Sequence, residues 1–440
     1  MKYGDMNKEQ AEVIFEKELR NFKKIQGEEL SLDMSRGKPC TAQLDLANVM
    51  FDMVNANASF ITENGMDVRN YGGLDGIPEM KRLFAALFDV NEKMVLVADG
   101  SSLNIMYNLV QQAMQFGVGG GLPWNKLGKV KFICLVPGYD RHFAITEQFG
   151  IDMIAVPFKK DGGVDIDAIE GLVASDSSIK GIWCVPQYSN PDGYTYSDET
   201  IERFAKMKTG VTYSDDVVTR LAKMDAAKDF RIFWDNAYAV HSIYGDDVLK
   251  NIFPECEKAG NPDRVYMFAS TSKITFSGAG VATLISSEKN IEEYKSHLKY
   301  ATIGPNKIVQ LAHYRYLKSP ENILKIMKAQ ADILRPKFDA VQNILESEFE
   351  NGDIVEWTKP VGGYFVSLNV KVGSAKEVVD LSKKMGVKFT EAGATYPRGI
   401  DFNDSNIRIA PSYPPIEELQ TAMQVLCCAI KLSATKSLMK

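Results

Sequence analysis

The sequence predicts an open α/β fold, in which a mostly parallel sheet is covered by helices on both faces and a second, smaller α/β domain is attached. Seven short apolar runs end in turn residues and are separated mostly by segments of helix length, a pattern typical of parallel strands with crossover helices. The chain has 440 residues, more than one core usually supports. Long amphipathic stretches from about residue 306 indicate where the second domain begins.

Each element is predicted from its own pattern of apolar residues. The strands of the main sheet are expected at residues 95–99, 132–136, 153–158, 182–185, 232–234, 265–269 and 281–285. Ahead of them, apolar residues three and four positions apart predict an amphipathic helix over residues 7–26. After them, residues 363–369 and 407–410 predict two strands of the smaller domain, and Pro415 precedes a last helix.

These elements divide the chain into three segments. We expect residues 46–305 to form the large domain and residues 306–440 the small one. The N-terminal helix and the segment after it, residues 1–45, are expected to fold back onto the small domain. Because ligands of open α/β sheets lie outside the carboxyl ends of the strands, we expect the functional site at that edge of the large domain.

Composition and charge exclude several classes of function. Apolar residues make up 45% of the chain and charged residues 25%, which is typical of a globular protein and not of a disordered or fibrous one. The formal net charge of −6 is spread over interleaved acidic and basic residues, so we do not expect nucleic acid as a partner. No stretch has the pattern of a membrane span or a secretory signal, which predicts a cytoplasmic enzyme.

The cysteines and histidines argue against two further chemistries. Six cysteines are scattered without a C-x-x-C pair, which favours a reducing compartment over a fold held by disulfides. Four histidines occur at spacings that form no His-x-x-x-His or His/Cys cluster. We therefore predict no metal site.

Five of the predicted strands end in residues that can carry chemistry. The first leads through Gly100, Ser101 and Ser102 into a helix, where hydroxyls and free main-chain N–H groups can bind an anion. A serine at this place can also act simply as the helix cap. The second ends in PGYDRH, which brings the ring of Tyr139 next to a guanidinium and an imidazole. Taken alone, this second motif is an ordinary surface turn.

The other three strand ends add an amide, a carboxylate, a phenol and an amine. Asn190 lies in the turn after the fourth run. Asp235 follows the fifth run, with Tyr238 three residues on, and a carboxylate so placed is either paired or functional. The sixth run is followed by Ser270 and then Lys273, an amine that needs a neutralising partner. Pyridoxal phosphate matches the whole set, since it has a phosphate, a flat ring with a hydroxyl and a nitrogen, and an aldehyde.

In this interpretation, two residues carry the chemistry. Asp235 keeps the ring nitrogen protonated, which makes the ring an electron sink for the carbanion at the substrate's α-carbon. Lys273 bonds to the aldehyde in the resting enzyme and then carries the proton as the base.

The sequence around these residues resembles the pyridoxal-phosphate enzymes of the aspartate aminotransferase fold, fold type I, over most of the chain. Its motifs are similar to those of the bacterial aspartate aminotransferases called subgroup Ic: MSRGKPC, NYGGLDG, DGSSLN, PGYDRH, SNPDG, DNAYAVH, STSKITFSGAGV and NIRIAPS. The resemblance implies a three-layer fold and a homodimer with shared sites. It also implies ping-pong transamination between L-aspartate or L-glutamate and 2-oxo acids, with pyridoxal 5'-phosphate as cofactor.

The resemblance further implies a role for each matched position. Around the cofactor ring it places Lys273 at the aldehyde, Asp235 at the nitrogen, Tyr238 and Asn190 at the hydroxyl, Tyr139 on the ring face and His142 behind the aspartate. Around the phosphate it places Gly100, Ser101, Ser102, Ser270 and, from the neighbouring subunit, Tyr71. The substrate's α-carboxylate would meet the main-chain N–H of Gly37 and a two-pronged ion pair from Arg408.

Two features depart from the family pattern. Most of the fold carries an arginine eight residues after the lysine, where this chain has Val281, so the phosphate lacks its usual guanidinium. The polar stretch at residues 209–229 looks like an insertion. A dicarboxylate substrate also needs a second cation, for which Arg141 and Arg36 are the candidates; Arg141 is preferred because it lies beside Tyr139.

Other functions stay open at this point. An aminotransferase for aromatic or other amino acids, or a decarboxylase or lyase, would use the same lysine and aspartate. Ser270-x-x-Lys273 also fits a serine acylase, but there a Lys-Thr-Gly motif should follow the serine, whereas here it precedes it at residues 208–210. Some relatives carry a DNA-binding module before this fold, and we expect the segment before MSRGKPC to be too short for one.

Overall fold

The computed structural model describes residues 2–159, 163–207, 229–245 and 248–440. Its strands within these ranges are β1 (Leu32–Asp33), β2 (Val95–Asp99), β3 (Lys131–Val136), β4 (Asp152–Pro157), β5 (Ile179–Cys184), β6 (Arg231–Asp235), β7 (Val265–Ser270), β8 (Val281–Ile285), β9 (Val355–Trp357), β10 (Val366–Val370), β11 (Val387–Lys388) and β12 (Asn406–Ile409). Its α-helices are α1 (Lys8–Gln26), α2 (Thr41–Asp45), α3 (Pro78–Phe88), α4 (Ser102–Phe116), α5 (Asp140–Gln148), α6 (Ile166–Ser175), α7 (Asp198–Lys206), α8 (Ile252–Lys258), α9 (Glu288–Leu298), α10 (Lys307–Leu317), α11 (Pro320–Glu348), α12 (Ala375–Lys384) and α13 (Ile416–Leu438).

The main sheet has the predicted architecture. Seven of the described strands pair in the order β2-β8-β7-β6-β5-β3-β4, and only β8 runs against the others. Each of the seven strands expected from the sequence corresponds to one of these. The predicted open α/β fold with a mostly parallel sheet is therefore confirmed.

Helices cover both faces of the sheet, and each face has its own apolar core. Along β6, Ile232 and Trp234 lie in the core shared with α3, α6 and α10, whereas Phe233 lies in the core shared with α4, α5 and α9. Successive strand residues point to opposite faces, so a strand covered on both faces must be apolar throughout. This explains why the sequence signal for these strands is a continuous apolar run.

A second lobe is built on a small antiparallel sheet, β9-β10-β12, with α11, α12 and α13 packed on it. Apolar residues of α1 join the same core, and β1 pairs in parallel with β11. The sequence predicted strands near β10 and β12 but not β1, β9 or β11, which have only two or three residues each. α10, however, packs into the core of the main sheet. The division of the chain at residues 45 and 305 stays a prediction.

Helix length, the grouping of possible metal ligands and the state of the cysteines can each be stated for the described part of the chain. None of its helices combines the length and the apolar character that crossing a bilayer requires. No three of its His, Cys, Asp or Glu side chains are placed to hold a metal ion. Its cysteines are buried free thiols, and burial raises the pKa of Cys256 to about 12. A thiol held in this protonated form is a poor nucleophile.

A buried ion pair fixes β5 near the end opposite the predicted site. Lys180 Nζ lies 2.8 Å from Asp229 Oδ1, and Trp124 donates its indole N–H to the other carboxylate oxygen at 3.1 Å. Both charged side chains are only 9% exposed. Removing one partner of such a pair leaves the other charge buried and uncompensated.

Replacing Lys180 with methionine should therefore lower the free energy of unfolding by about 3–5 kcal/mol. Chemical denaturation of the purified protein, followed by tryptophan fluorescence, measures the effect. Lys131→Met is the matched control, because Lys131 pairs with Asp176 at 2.7 Å and both side chains are about one-third exposed. The control should cost less than about 1 kcal/mol, and equal losses for the two variants would contradict the argument.

Candidate active site

The carboxyl ends of five strands bring the predicted residues to one edge of the main sheet. Asp235 is the last residue of β6 and Ser270 the last residue of β7. Gly100 directly follows β2, and Tyr139 and Asn190 lie in the turns after β3 and β5. Since these five strands run in the same direction, the turns after them share one edge.

The carboxylate of Asp235 is buried and only half satisfied. The residue is 4% exposed, and its Oδ2 lies 3.0 Å from Nε2 of His142. His142 is itself buried and stacks on the indole of Trp183, with 4.5 Å between ring centroids. The other oxygen of Asp235, Oδ1, has no hydrogen-bond partner among the described residues. Burying a carboxylate oxygen without a hydrogen-bond partner costs free energy. Oδ1 can therefore accept a hydrogen bond from a bound molecule.

Lys273 and Tyr238 lie beside this carboxylate, in surroundings that change the proton affinity of both. The amine of Lys273 is 4.8 Å from the centroid of the Tyr238 ring. Burial lowers the pKa of Lys273, and the charge of Asp235 opposes this shift. Burial raises the pKa of Tyr238 well above its usual value, and the neighbouring Tyr139 and Asp235 add to the rise. The phenol therefore stays a proton donor, while the amine gives up its proton more readily than an exposed lysine does.

His241 lies behind Tyr238, at a place that sequence reasoning did not single out. Its ring meets those of Tyr238 and Tyr364 edge-on, each at 5.7 Å between centroids. Burial lowers the pKa of His241 to about 3, and the charge of Lys273 adds to the effect. The ring is therefore neutral near pH 7. Its place in DNAYAVH carries no sequence signal of this burial.

Arg408 enters the site from the second lobe, on β12. It is 8% exposed, and its Nη1 donates to Asn190 Oδ1 at 3.2 Å and to Asp140 Oδ1 at 3.0 Å. The ring of Phe365 lies under the guanidinium, 5.0 Å from its carbon. Nε is buried without a hydrogen-bond partner in the described structure. The guanidinium is thus held in place with donor capacity left for an anion.

Asp140 is a second site residue that sequence reasoning does not single out. The motif PGYDRH predicts roles for Tyr139, Arg141 and His142 and gives none to Asp140 between them. It is the single acid of that motif, which is the signal that could have found it. Its partner Arg408 lies 268 residues further along the chain, so only the fold shows the pairing.

Gly37 lies directly against the ring that supports Arg408. A methyl group at this position would come within 2.5 Å of the Phe365 ring, far inside van der Waals contact. Glycine is therefore required for the segment after β1 to pass this close. That the main-chain N–H of Gly37 meets the substrate carboxylate stays a prediction.

Replacing Gly37 with alanine should raise the KM for the amino-acid substrate about tenfold, because the added methyl must displace Phe365 and with it Arg408. Steady-state kinetics measures the change. Gly171→Ala is the matched control, since a methyl group at Gly171 on α6 meets nothing within 4 Å. An unchanged KM in the Gly37 variant would contradict this interpretation.

A helix terminus lies where the sequence predicts one, directly after β2. α4 begins just after Ser101, whose hydroxyl accepts the N–H of Leu103 at 3.2 Å, so this serine does cap the helix. Gly100 has a positive φ of 57°, and its N–H donates to the carbonyl of Gly280 at 3.0 Å. The first N–H groups of a helix have no intrahelical partners and carry partial positive charge. Capping by Ser101 therefore leaves the positive end of α4 at the site edge.

Val281 is a core residue and provides nothing to an anion. Its side chain is buried in the apolar core, and its N–H donates to the hydroxyl of Thr271 at 3.0 Å. Val281 also begins β8, where it pairs with Asp99 of β2. Position 281 therefore lies in the apolar core and provides no guanidinium.

Three predicted residues lie on the surface. Tyr71 is 82% exposed in the single chain. Arg141 is exposed on the first turn of α5, with its Nε 4.0 Å from Asp140 Oδ2, and Arg36 is exposed as well. The polar stretch at 209–229 lies outside the described residues except for Asp229, as does the Lys-Thr-Gly motif at 208–210.

The geometry argues against a serine acylase. Such an enzyme carries its nucleophilic serine at the start of a helix. Here Ser270 ends strand β7. The fold and the buried lysine–carboxylate site instead define an enzyme of the aminotransferase class.

Comparisons with known proteins agree with this class. The family model for aspartate amino-transferase matches residues 6–211 and 208–440. An aspartate aminotransferase of Corynebacterium glutamicum is 42% identical over 440 residues, which cover 98% of this chain and 96% of that protein. The chain belongs to the aspartate aminotransferase family, and the predicted aminotransferase activity is confirmed.

Solved structures support the fold in the same way. The crystal structure of an aspartate transaminase from Corynebacterium glutamicum matches with a TM-score of 0.92 and 41% identity, over 100% of this chain and 99% of that one. An α-aminoadipate aminotransferase of Thermus thermophilus matches with a TM-score of 0.71 at 18% identity, over 94% of each chain. The second likeness shows the fold alone. Together they confirm fold type I.

Proposed function

We propose that this chain is a pyridoxal-phosphate-dependent transaminase that exchanges amino groups between L-aspartate or L-glutamate and 2-oxo acids by a ping-pong mechanism. The observation that carries the proposal is the free Oδ1 of Asp235, buried beside an amine of lowered pKa. A protonated ring nitrogen supplies the donor that this oxygen lacks. The aspartate aminotransferase from Corynebacterium glutamicum, 42% identical, supports the choice of substrate.

The residues at the site fit the cofactor's functional groups. When bound, pyridoxal phosphate supplies an aldehyde that bonds to an amine and a ring that accepts electrons. Lys273 provides the amine, and Asp235, oriented by His142, keeps the ring nitrogen charged. Tyr238 donates its hydroxyl proton, and Asn190 can donate from its amide because its oxygen is already bonded to Arg408. Tyr139 provides an aromatic face for the ring, as the sequence predicts.

The phosphate is assigned to the positive end of α4, with Gly100, Ser101 and Ser102, and to the hydroxyl of Ser270. Main-chain N–H groups and a helix terminus bind phosphate in many proteins, so an arginine at position 281 is dispensable. This part of the proposal accounts for Val281 without requiring another cation.

We further propose a homodimer in which Tyr71 reaches the neighbouring subunit's phosphate. Tyr71 is exposed in the single chain and lies next to Gly72, whose carbonyl accepts a hydrogen bond from Lys307 at 2.7 Å. Phe51 is 64% exposed and stacks on Phe276 in the loop after the lysine. Large apolar side chains on a surface close to an active site are typical of a subunit interface. The free cysteines support a cytoplasmic location.

The first test mixes the purified holoenzyme with single amino acids and follows the visible absorbance of the bound cofactor. L-aspartate and L-glutamate should remove the band faster than alanine or phenylalanine, with release of the matching 2-oxo acid. Carbon dioxide or ammonia as the main product would instead identify a decarboxylase or lyase.

Lys273→Ala should lower turnover by about a thousandfold or more, because it removes both the bonding amine and the base. Normal turnover in the Lys273 variant would refute the proposed mechanism.

The second test concerns the distal carboxylate of the substrate. Arg141→Gln should lower kcat/KM for aspartate by about 10- to 100-fold and leave alanine and phenylalanine nearly unchanged, because only a dicarboxylate uses the second cation. Arg36→Gln is the matched control at the other candidate. A similar loss for all three substrates would show that Arg141 does not select dicarboxylates.

A further inference from the structure

We propose that Asp140 is an internal counter-ion for both substrate arginines in the substrate-free enzyme, and that it competes with substrate carboxylates for them. The inference rests on the proposed function and deepens it. The carboxylate of Asp140 lies between the two cations: Oδ1 is 3.0 Å from Arg408 Nη1, and Oδ2 is 4.0 Å from Arg141 Nε. One carboxylate thus faces both of the cations that the proposed function assigns to a dicarboxylate substrate.

Arg408 does not need Asp140 to stay in place. The amide oxygen of Asn190 holds the same Nη1, the hydroxyl of Thr390 lies 3.5 Å from Nη2, and the ring of Phe365 lies below the guanidinium. These partners are neutral, so they fix the position of the arginine without cancelling its charge. Asp140 is the acid that pairs with Arg408 among the described residues, and its contribution is therefore charge compensation.

Asp140 is also the partner that can leave. Its side chain is 32% exposed, whereas that of Arg408 is 8% exposed. A carboxylate with this access to water can be solvated again when a substrate takes its place, and Arg141 stays available to it nearby. A buried guanidinium, by contrast, stays in place on its neutral partners and is stabilised by whichever carboxylate pairs with it. The geometry therefore fits an exchange of carboxylates at a fixed arginine.

Competition between Asp140 and a substrate carboxylate lowers the affinity of the site for its substrate. A substrate carboxylate must displace Asp140 or bind next to a like charge, and either makes binding weaker than the two arginines alone would allow. Weaker binding also favours release of the oxo acid after each half-reaction. Removing the charge of Asp140 should therefore strengthen the binding of carboxylates.

The experiment is a calorimetric titration of the holoenzyme with succinate, a dicarboxylate without an amino or oxo group, and with propionate, its monocarboxylate counterpart. Asp140→Asn should lower the Kd for succinate about five- to tenfold, and that for propionate in the same direction. Glu147→Gln is the matched control, because it removes the same charge from the same helix, α5, at an exposed position. Asp140→Glu keeps the charge and should keep the Kd of the original enzyme.

The outcomes separate the two proposals. Unchanged or weaker binding in Asp140→Asn, with tight binding in the original enzyme, would overturn the role of Asp140 and leave the transaminase intact. An equal gain in Glu147→Gln would also overturn it, because the effect would then come from net charge. If the original holoenzyme bound neither compound, the proposed carboxylate site would fail and this inference with it. Circular dichroism and the cofactor's absorbance establish that each variant is folded and loaded.

Discussion

The site depends on one physical constraint, a carboxylate placed at the buried end of the central strand β6. Asp235 forms a hydrogen bond there with His142, whose ring stacks in turn on Trp183 of β5. Among the described residues its other oxygen has no hydrogen-bond partner, so it can accept a hydrogen bond from a bound molecule. The same burial that makes Asp235 costly also shifts the pKa values of Lys273 and Tyr238. Burial at this edge of the sheet thus affects the carboxylate of Asp235, the amine of Lys273 and the phenol of Tyr238.

The second lobe contributes a charge of the opposite sign. Arg408 extends from β12 to the turns after β3 and β5, so the ion pair with Asp140 and the hydrogen bond with Asn190 join the two lobes across the site. Its support, the Phe365 ring, is in turn pressed against Gly37 from the N-terminal segment. The surroundings of Arg408 are therefore assembled from several separate stretches of chain.

Much of this could be read from the sequence, for reasons that differ between residues. The strands of the main sheet can be predicted because burial on both faces requires continuous apolar runs. Asp235 and Lys273 can be predicted as functional because they are charged residues that follow such runs. Pairings between distant residues give no comparable signal. The contact of Asp140 with Arg408 and the burial of His241 depend on how turns and lobes meet, which no local pattern specifies. The strands β1, β9 and β11 cannot be predicted in this way, because a run of two or three residues has no measurable period.

The way the N-terminal segment is held has a consequence for how the protein is made. α1 packs in the same apolar core as α13, and β1 pairs with β11, with Leu32 opposite Val387. The segment that holds α1 and β1 therefore waits for partners that are synthesised after the main sheet. Contacts between such distant residues are slow to form, because a long loop must close before they gain anything. During synthesis, the apolar face of α1 therefore stays uncovered until α13 has been made.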